Sequence, residues 1–345
     1  MKCFVTGATG YVGNFLIDKL KNYSFDVHIL VRNQSDYDKY SSKGYKCFLG
    51  DLRFPDTFKG YFNDIDYVFH LGNIASWWLN RSQDYYDINV TGTYNLLNEL
   101  EKTDVKKIIH MSSVAAIRQP KGMIADENSK HNEDFESQYS RSKYLTEKQI
   151  EIFLKKGLPI VTLNPGVITG PEDFKTFGKT VIGIANRKIK SKFCPDSYIP
   201  LVYIDDVINI TIKALDMPIG NKYVVVGENV KISDVFDIVC SIKNLPKVKN
   251  ITPIWNLYLI SYLSHFISFF TKSRPKLPIE GLKAIILGAQ ANSKKTCDDF
   301  KFTFMSAEEI LKKCIGWYEK NNYICLLYTS PSPRDLSTSR MPSSA

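Results

Sequence analysis

The chain has 345 residues, 44% hydrophobic and 23% charged, the balance of a globular protein long enough for a sizeable core. Its formal net charge of +9 comes from lysines scattered without an arginine-rich run or basic repeat, which argues against nucleic acid as a partner. Seven cysteines, at positions 3, 47, 194, 240, 297, 314 and 325, form no Cys-x-x-Cys pair; the pattern predicts no metal, no disulfide framework and the reduced thiols of a cytoplasmic protein.

In chain order, Met1 to Val5 reads as a short buried strand, too close to the start to leave room for a signal peptide, and Val12 to Leu20 reads as a helix. Between them stands Thr6-Gly7-Ala8-Thr9-Gly10-Tyr11-Val12-Gly13. Glycines where a strand hands over to a helix permit a tight turn, close approach of phosphates and close helix–strand packing, and they place a pyrophosphate at the positive end of the helix dipole. Further apolar runs at Val27–Val31, Lys46–Leu49, Tyr67–His70, Lys107–His110 and Ile160–Asn164 alternate with helical patterns near 84–102 and 139–155. The alternation predicts an α/β fold, a Rossmann-type doubly wound parallel sheet with its ligand at the carboxyl ends of the strands.

The division predicted is a dinucleotide-binding domain over 1–170, with some later segments returning to it, and a smaller C-terminal substrate-binding lobe over 171–323. In that lobe Tyr203-Ile204-Asp205-Asp206-Val207 reads as a turn into a helix capped by an aspartate, Tyr223–Val226 as a strand, and Ser233 as the next helix cap. Ile254 to Phe270 is strongly apolar and aromatic but carries Asn256, Ser261, Ser264, His265 and Ser268. It reads as a buried helix or a lid over the substrate pocket, with peripheral contact to a membrane as the alternative. Residues 324–345, rich in Ser, Pro and Arg without apolar periodicity, read as disordered and as a non-native tail of translated vector.

Tyr139-Ser140-Arg141-Ser142-Lys143 places a phenol and an ammonium on one helix face. A lysine there is expected to depress the tyrosine pKa from about 10 and make Tyr139 a general acid or base. Tyr144 and Lys148 repeat the spacing, so context has to separate the pairs. Ser112-Ser113 follows the strand Lys107–His110, which puts hydroxyls at the carboxyl edge of the sheet.

With the glycine turn at 6–13, the serine pair at 112–113 and Tyr-x-x-Ser-Lys at 139–143 in that order, the chain resembles the extended short-chain dehydrogenase/reductase (NAD-dependent epimerase/dehydratase) family. Gly50-Asp51-Leu52-Arg53, Phe69-His70-Leu71-Gly72, Asn89-Val90-Thr91-Gly92-Thr93 and Asn164-Pro165-Gly166-Val167 agree with it. The resemblance implies that Ser113 bonds the substrate carbonyl, Tyr139 donates the proton, and Lys143 holds the nicotinamide ribose. It implies cofactor contacts from Gly7, Thr9, Gly10, Tyr11, Val12, Gly13, Asp51, Leu52, Leu71, Gly72, Pro165, Gly166 and Val167. Relatives that pair do so through helices equivalent to 84–102 and 139–155, so a homodimer is open. Arg32, 19 residues beyond Gly13 at the end of the second strand, stands where an acid would select the ribose of NAD(H); an arginine there predicts NADP(H) over NAD(H).

Family dehydratases carry an Asp-Glu pair in the serine segment, whereas Ser112-Ser113-Val114-Ala115-Ala116-Ile117 has no acid. Family epimerases follow the serines with Val-Tyr-Gly, and here Ala116-Ile117-Arg118 stands instead. The run is most similar to the dihydroflavonol 4-reductase-like branch and to bacterial hopanoid-associated sugar epimerases. The expectation is reduction of a ketone or aldehyde on a fairly apolar small molecule, with Trp77-Trp78 as a pocket wall or as core. A nucleotide-sugar epimerase or a 3β-hydroxysteroid dehydrogenase-like enzyme using NAD is the alternative, and a non-catalytic NADP-binding regulator a remote one.

Overall fold

The computed structural model describes residues 1–175 and 177–324. Six parallel strands come first: β1 (Lys2–Thr6), β2 (Asp26–Val31), β3 (Lys46–Leu49), β4 (Tyr67–His70), β5 (Lys107–Met111) and β6 (Ile160–Pro165). Then follow β7 (Val167–Thr169), β8 (Lys192–Phe193), β9 (Tyr198–Tyr203), β10 (Lys222–Val225), β11 (Glu228–Lys231) and β12 (Ile251–Thr252). Seven of them form one sheet in the order β10-β6-β5-β4-β1-β2-β3, every pair parallel. Strand order reverses between β1 and β4, the place where a crevice opens at the carboxyl ends in such sheets. A three-stranded sheet, β11-β9-β7, and the pair β12-β8 lie apart from it.

The predicted strands coincide with β1–β6 to within a residue at either end; apart from the half-exposed edge strand β3, they are covered on both faces, and such parallel strands are unbroken apolar runs. Cys3, Phe4 and Val5 are fully buried, as are Ile108, Ile109, Ile160 and Val161. One face packs against the helix Tyr11–Asn22 through Leu16, Ile17 and Leu20, in a core that also takes in Val207 and Ile208 of the helix Ile204–Lys213. The other face packs against Leu96, Leu97 and Leu100 and against Ile150 and Phe153. The sheet is therefore doubly wound. Ile324 is buried in the first of these cores; the rest of the 324–345 segment, Cys325 included, lies outside the described residues.

Several local expectations are corrected. The helix expected at 84–102 is three pieces: Gln83–Tyr85, a π-helical stretch Tyr86–Thr91, and Gly92–Leu100. The hydroxyls of Thr93 and Thr146 both donate to the Asn89 carbonyl, at 2.6 and 3.0 Å, and side-chain donors of this kind compete with the regular helical ladder. The helix Ile204–Lys213 follows β9 with no gap, so Tyr203 occupies the cap without a side-chain bond, and Asp205 and Asp206 fall in its first turn, where the dipole favours them. The helix Ile232–Ile242 is capped at Lys231, leaving Ser233 inside it. Ile254–Thr271 is one helix, but not a buried one: only Leu257, Ser261, Ser264 and Ser268 are covered.

Candidate active site

The glycine turn sits at the reversal point. Gly7 has φ +75°, and a Cβ on it would lie 2.5 Å from the Leu71 carbonyl and 2.7 Å from the Gly72 nitrogen; only glycine tolerates both the angle and the closeness. A Cβ on Gly13 would lie 2.1 Å from the Gly7 carbonyl oxygen, so the helix start and the turn touch backbone to backbone. Gly10 caps the helix Tyr11–Asn22 with no side-chain bond to its first amides, which leaves this helix end without a side-chain acceptor. Leu52 and Gly72 pack at the same place, the Leu52 Cδ1 only 2.9 Å from a Cβ built on Gly72. The next residue, Asn73, has a buried carboxamide with neither atom partnered among the described residues. Thr9 is exposed at the turn. A bare-backbone cradle, a helix end no side chain caps and an orphaned amide fit the phosphates and ribose of a dinucleotide.

The fold brings Gly7, Gly10, Gly13, Leu52, Leu71 and Gly72 together. The Tyr11 hydroxyl is buried, has no partner among the described residues, and faces Gly170, where an added Cβ would approach to 3.1 Å. At the end of β6, Gly166 abuts the Pro200 carbonyl so closely that a Cβ would lie 2.1 Å away, which sets Pro165 and Val167 at the sheet edge.

Arg32 is exposed immediately after β2. Asp36 serves the local turn, accepting from Asn33 Nδ2 at 2.9 Å while Asn33 caps the next helix. The Asp51 carboxylate is held by Arg53, Nη2 to Oδ2 at 2.7 Å and Nε to both oxygens at 3.1 Å. Burial works to raise its pKa, and the Arg53 bonds with the nearby charge of Arg32 outweigh that and hold it below the usual range. The resemblance implies a cofactor contact from Asp51; in the structure its carboxylate is bonded to Arg53, with the Arg32 charge also nearby.

Ser113 begins the turn after β5 with extended backbone, and its Oγ accepts from Ala115 N at 3.2 Å. Tyr139 and Lys143 project from the helix Gln138–Lys155, capped by Ser137 Oγ, which accepts from Ser140 N at 3.0 Å. Unusually for a helix face turned inward, the first half of the buried stripe is polar: Tyr139, Ser140, Ser142, Lys143, Thr146 and Glu147 precede Ile150 and Phe153. The Ser113 hydroxyl lies beside the Tyr139 phenol, near enough to act on its pKa. The Trp77 ring meets Tyr139 edge-on, centroids 5.2 Å apart at 84°, within a small apolar cluster that also holds Tyr85, Ala115 and Ile74.

The expected depression of the Tyr139 pKa is not found. Burial raises it above the usual phenol value, the neighbouring Ser113 hydroxyl opposing and the charge of Glu136 adding to the rise. Burial also pushes Lys143 down to about 7, against the pull of Glu147. Lys143 is therefore only partly charged near neutral pH, and its Nζ donates to the Met111 carbonyl at 3.1 Å.

Sequence reasoning missed what holds this set in place. Buried Glu147 accepts from Ser112 Oγ and Asn164 Nδ2, each at 2.6 Å, and from Lys222 Nζ at 2.8 Å. Asn164 also donates to the Ser113 carbonyl at 3.0 Å, so one carboxylate ties the serine segment, β6 and β10 to the helix of Tyr139. Asn89 does the same for the opposite wall, donating to Ser142 Oγ at 2.9 Å and accepting from Ile74 N at 2.7 Å. Arg118, noted only as a departure from an epimerase pattern, is buried. It pairs with Glu136 at 2.6 Å and donates to the carbonyls of Ala284 and Gly288. That ties the helix Ile279–Leu287 over the site, where Gly281 packs against Trp77.

A family model described as NAD dependent epimerase/dehydratase family matches residues 3–227, from β1 past the glycine turn, Ser113, Tyr139 and Lys143 to β10. The chain belongs to this family. Its members bind a nicotinamide cofactor, and the chain is an NAD(P)-dependent enzyme of the extended short-chain dehydrogenase/reductase type. It is 24% identical over 330 residues to sterol demethylase protein B of Methylococcus capsulatus, covering 94% of this chain and 100% of that one. It is 27% identical over 274 residues to the ketoreductase sphI of Aspergillus fumigatus, covering 68% and 82%. The fold superposes on the UDP-glucose 4-epimerase of Thermotoga maritima, solved with UDP-glucose, at a TM-score of 0.74 with 20% identity, covering 93% and 100%. Among the described residues no group of metal-ligating side chains is present, and no helix is long and apolar enough to cross a membrane.

Proposed function

We propose that this chain is an NADP(H)-dependent oxidoreductase that reduces a ketone or aldehyde on a fairly apolar small molecule, with Tyr139 as the proton donor. The observation that carries the reading is the Ser113–Tyr139 hydroxyl pair set against the Trp77 ring. Two adjacent hydroxyls suit a carbonyl oxygen that gains negative charge, and the apolar wall suits a substrate with little polar surface. The raised pKa keeps the phenol protonated near neutrality, the state a donor needs.

The bound nicotinamide supplies the hydride. The backbone of Gly7, Gly10 and Gly13 would hold the phosphates, with Thr9, Val12, Leu52, Leu71, Gly72 and Pro165 to Val167 around it, and Lys143 the ribose. Arg32, exposed and with Asp36 engaged by Asn33 and Asp51 by Arg53, supports a 2′-phosphate and hence NADP(H). The ketoreductase relative supports carbonyl reduction, and the sterol demethylase relative supports an apolar substrate class.

The test is NADPH oxidation by purified protein across a panel of apolar ketones and aldehydes, beside Tyr139→Phe. Turnover that Tyr139→Phe abolishes is expected. No turnover on any member, or full activity in the variant, would refute the reading, and slowly exchanging copurified NAD⁺ would favour an epimerase instead. Arg32→Ala is expected to lower the NADPH-to-NADH affinity ratio; an unchanged ratio removes the NADP(H) assignment.

A further inference from the structure

The helix Ile254–Thr271 is built inside out for a helix on a water-facing surface. Its covered stripe is Leu257, Ser261, Ser264 and Ser268, one helical face at spacings of four, three and four. The serine hydroxyls there are spent on main chain: Ser261 Oγ donates to the Leu277 carbonyl at 2.9 Å, Ser264 Oγ to the Ser261 carbonyl at 2.9 Å, and Ser268 Oγ to the Ser273 carbonyl. The large apolar side chains point outward instead. Of the 22 exposed large hydrophobic residues among those described, ten are on this helix, Trp255 at 66% and Phe269 at 80% exposure among them. A surface helix normally shows the reverse pattern, and a contiguous apolar patch of this size marks a contact surface.

Charge decides what covers it. From Ile238 to Ile279 the sequence holds no carboxylate and six cations: Lys243, Lys247, Lys249, Lys272, Arg274 and Lys276. Lys243 is paired with Glu319; Lys247, Lys249, Lys272, Arg274 and Lys276 are exposed at the two ends of the helix. A second copy of the chain would bring the same cations to the contact. An apolar, aromatic helix bordered by cations matches an anionic lipid surface, with rings in the acyl boundary and ammonium groups among the headgroups. No described helix is apolar enough to span, so the helix lies in the interface.

We propose that Ile254–Thr271 docks the protein on anionic lipid bilayers as a monotopic helix. The helix leads through Leu277 into Ile279–Leu287, whose Gly281 meets Trp77 and whose Glu280 accepts from Gln138 N at 3.3 Å. Docking therefore holds the Tyr139 site close to the bilayer surface. The docking stands on these observations alone and needs no turnover.

The experiment is flotation of the full chain with phosphatidylcholine vesicles, with and without phosphatidylserine, at low and high salt. Binding to the phosphatidylserine vesicles that weakens with salt, with a blue shift of tryptophan emission, is expected. Phe269→Asp with Phe270→Asp should lower the partition roughly tenfold or more, with thermal melting and NADPH binding unchanged. Lys272→Glu, Arg274→Glu and Lys276→Glu should each weaken it about fivefold. No flotation with either vesicle overturns the proposal. So does a wild-type dimer that the phenylalanine variant converts to monomer, which would assign the face to a second copy.

Discussion

Replacing Glu147 asks how far the reacting set depends on one buried carboxylate. Glu147→Ala strands the hydroxyl of Ser112, the carboxamide of Asn164 and the ammonium of Lys222 together. Removing one partner of a buried ion pair costs about 3–5 kcal/mol, and hydrogen bonds to a charged group contribute roughly 1.5–3 kcal/mol each. Relief is available on one side only. The Lys222 side chain is 23% exposed and has Glu151 Oε1 at 3.7 Å, so its ammonium can turn outward, whereas Ser112 and Asn164 cannot leave. The alanine variant should therefore lose about 3 kcal/mol, the lower end of that range. Glu147→Gln keeps an acceptor for Ser112 and Asn164 and opposes Lys222 with an NH2 group, costing about 1–2 kcal/mol. Urea unfolding followed by circular dichroism, at constant m-value, measures both. Losses under about 0.5 kcal/mol in both, or a glutamine variant as damaged as the alanine one, would refute the account of the network.

Three further outcomes follow from the same geometry. Gly13→Ala, whose Cβ would sit 2.1 Å from the Gly7 carbonyl oxygen, should reduce NADPH affinity at least about tenfold by displacing the phosphate turn, with unchanged far-UV dichroism; wild-type affinity would sink this. Burial drives His70 down to about 3 and His110 well below its ordinary value, so stability present above the unfolded pKa of about 6.5 is lost as pH falls toward about 3, by up to about 1.4 kcal/mol per pH unit and group. Thermal melts from about pH 6.5 to 4.5 should fall more steeply for wild type than for His110→Met; parallel curves would count against it. Lys143, depressed to about 7 from 10.5, stays neutral in the folded cofactor-free protein while the unfolded chain is protonated, so stability should rise with pH above about 7. The difference between wild type and Lys143→Met isolates that slope, and no difference would contradict it.

The sheet was readable in the sequence wherever burial on both faces left unbroken apolar runs, as at Tyr67–His70 and Ile160–Pro165. The reacting residues were readable as an ordered set of motifs, because Gly7–Gly13, Ser113 and Tyr139–Lys143 each follow a strand or sit on a helix whose period is visible. Glu147 was not, since a glutamate before a lysine in Tyr144-Leu145-Thr146-Glu147-Lys148 looks like an ordinary solvated helix face. Nor was the direction of the Tyr139 shift, because spacing along a helix says nothing about how far water is excluded from both groups. The helix Ile254–Thr271 shows the opposite failure: its composition promised burial, and its neighbours cover only the serine stripe.

Taken alone, the sequence determined the local conformations: the glycine turn that only Gly7 and Gly13 can make, the strand and helix periods, and the order of the chemical groups along the chain. The tertiary structure decided which groups share one dry space. Ser112, Glu147, Asn164 and Lys222 meet across separations of 17 to 110 residues, and only the parallel stacking of β5, β6 and β10 beside the helix of Tyr139 brings them together. Desolvation, which sets the charge on Lys143 and Tyr139, belongs to that assembled space and has no counterpart in the linear chain.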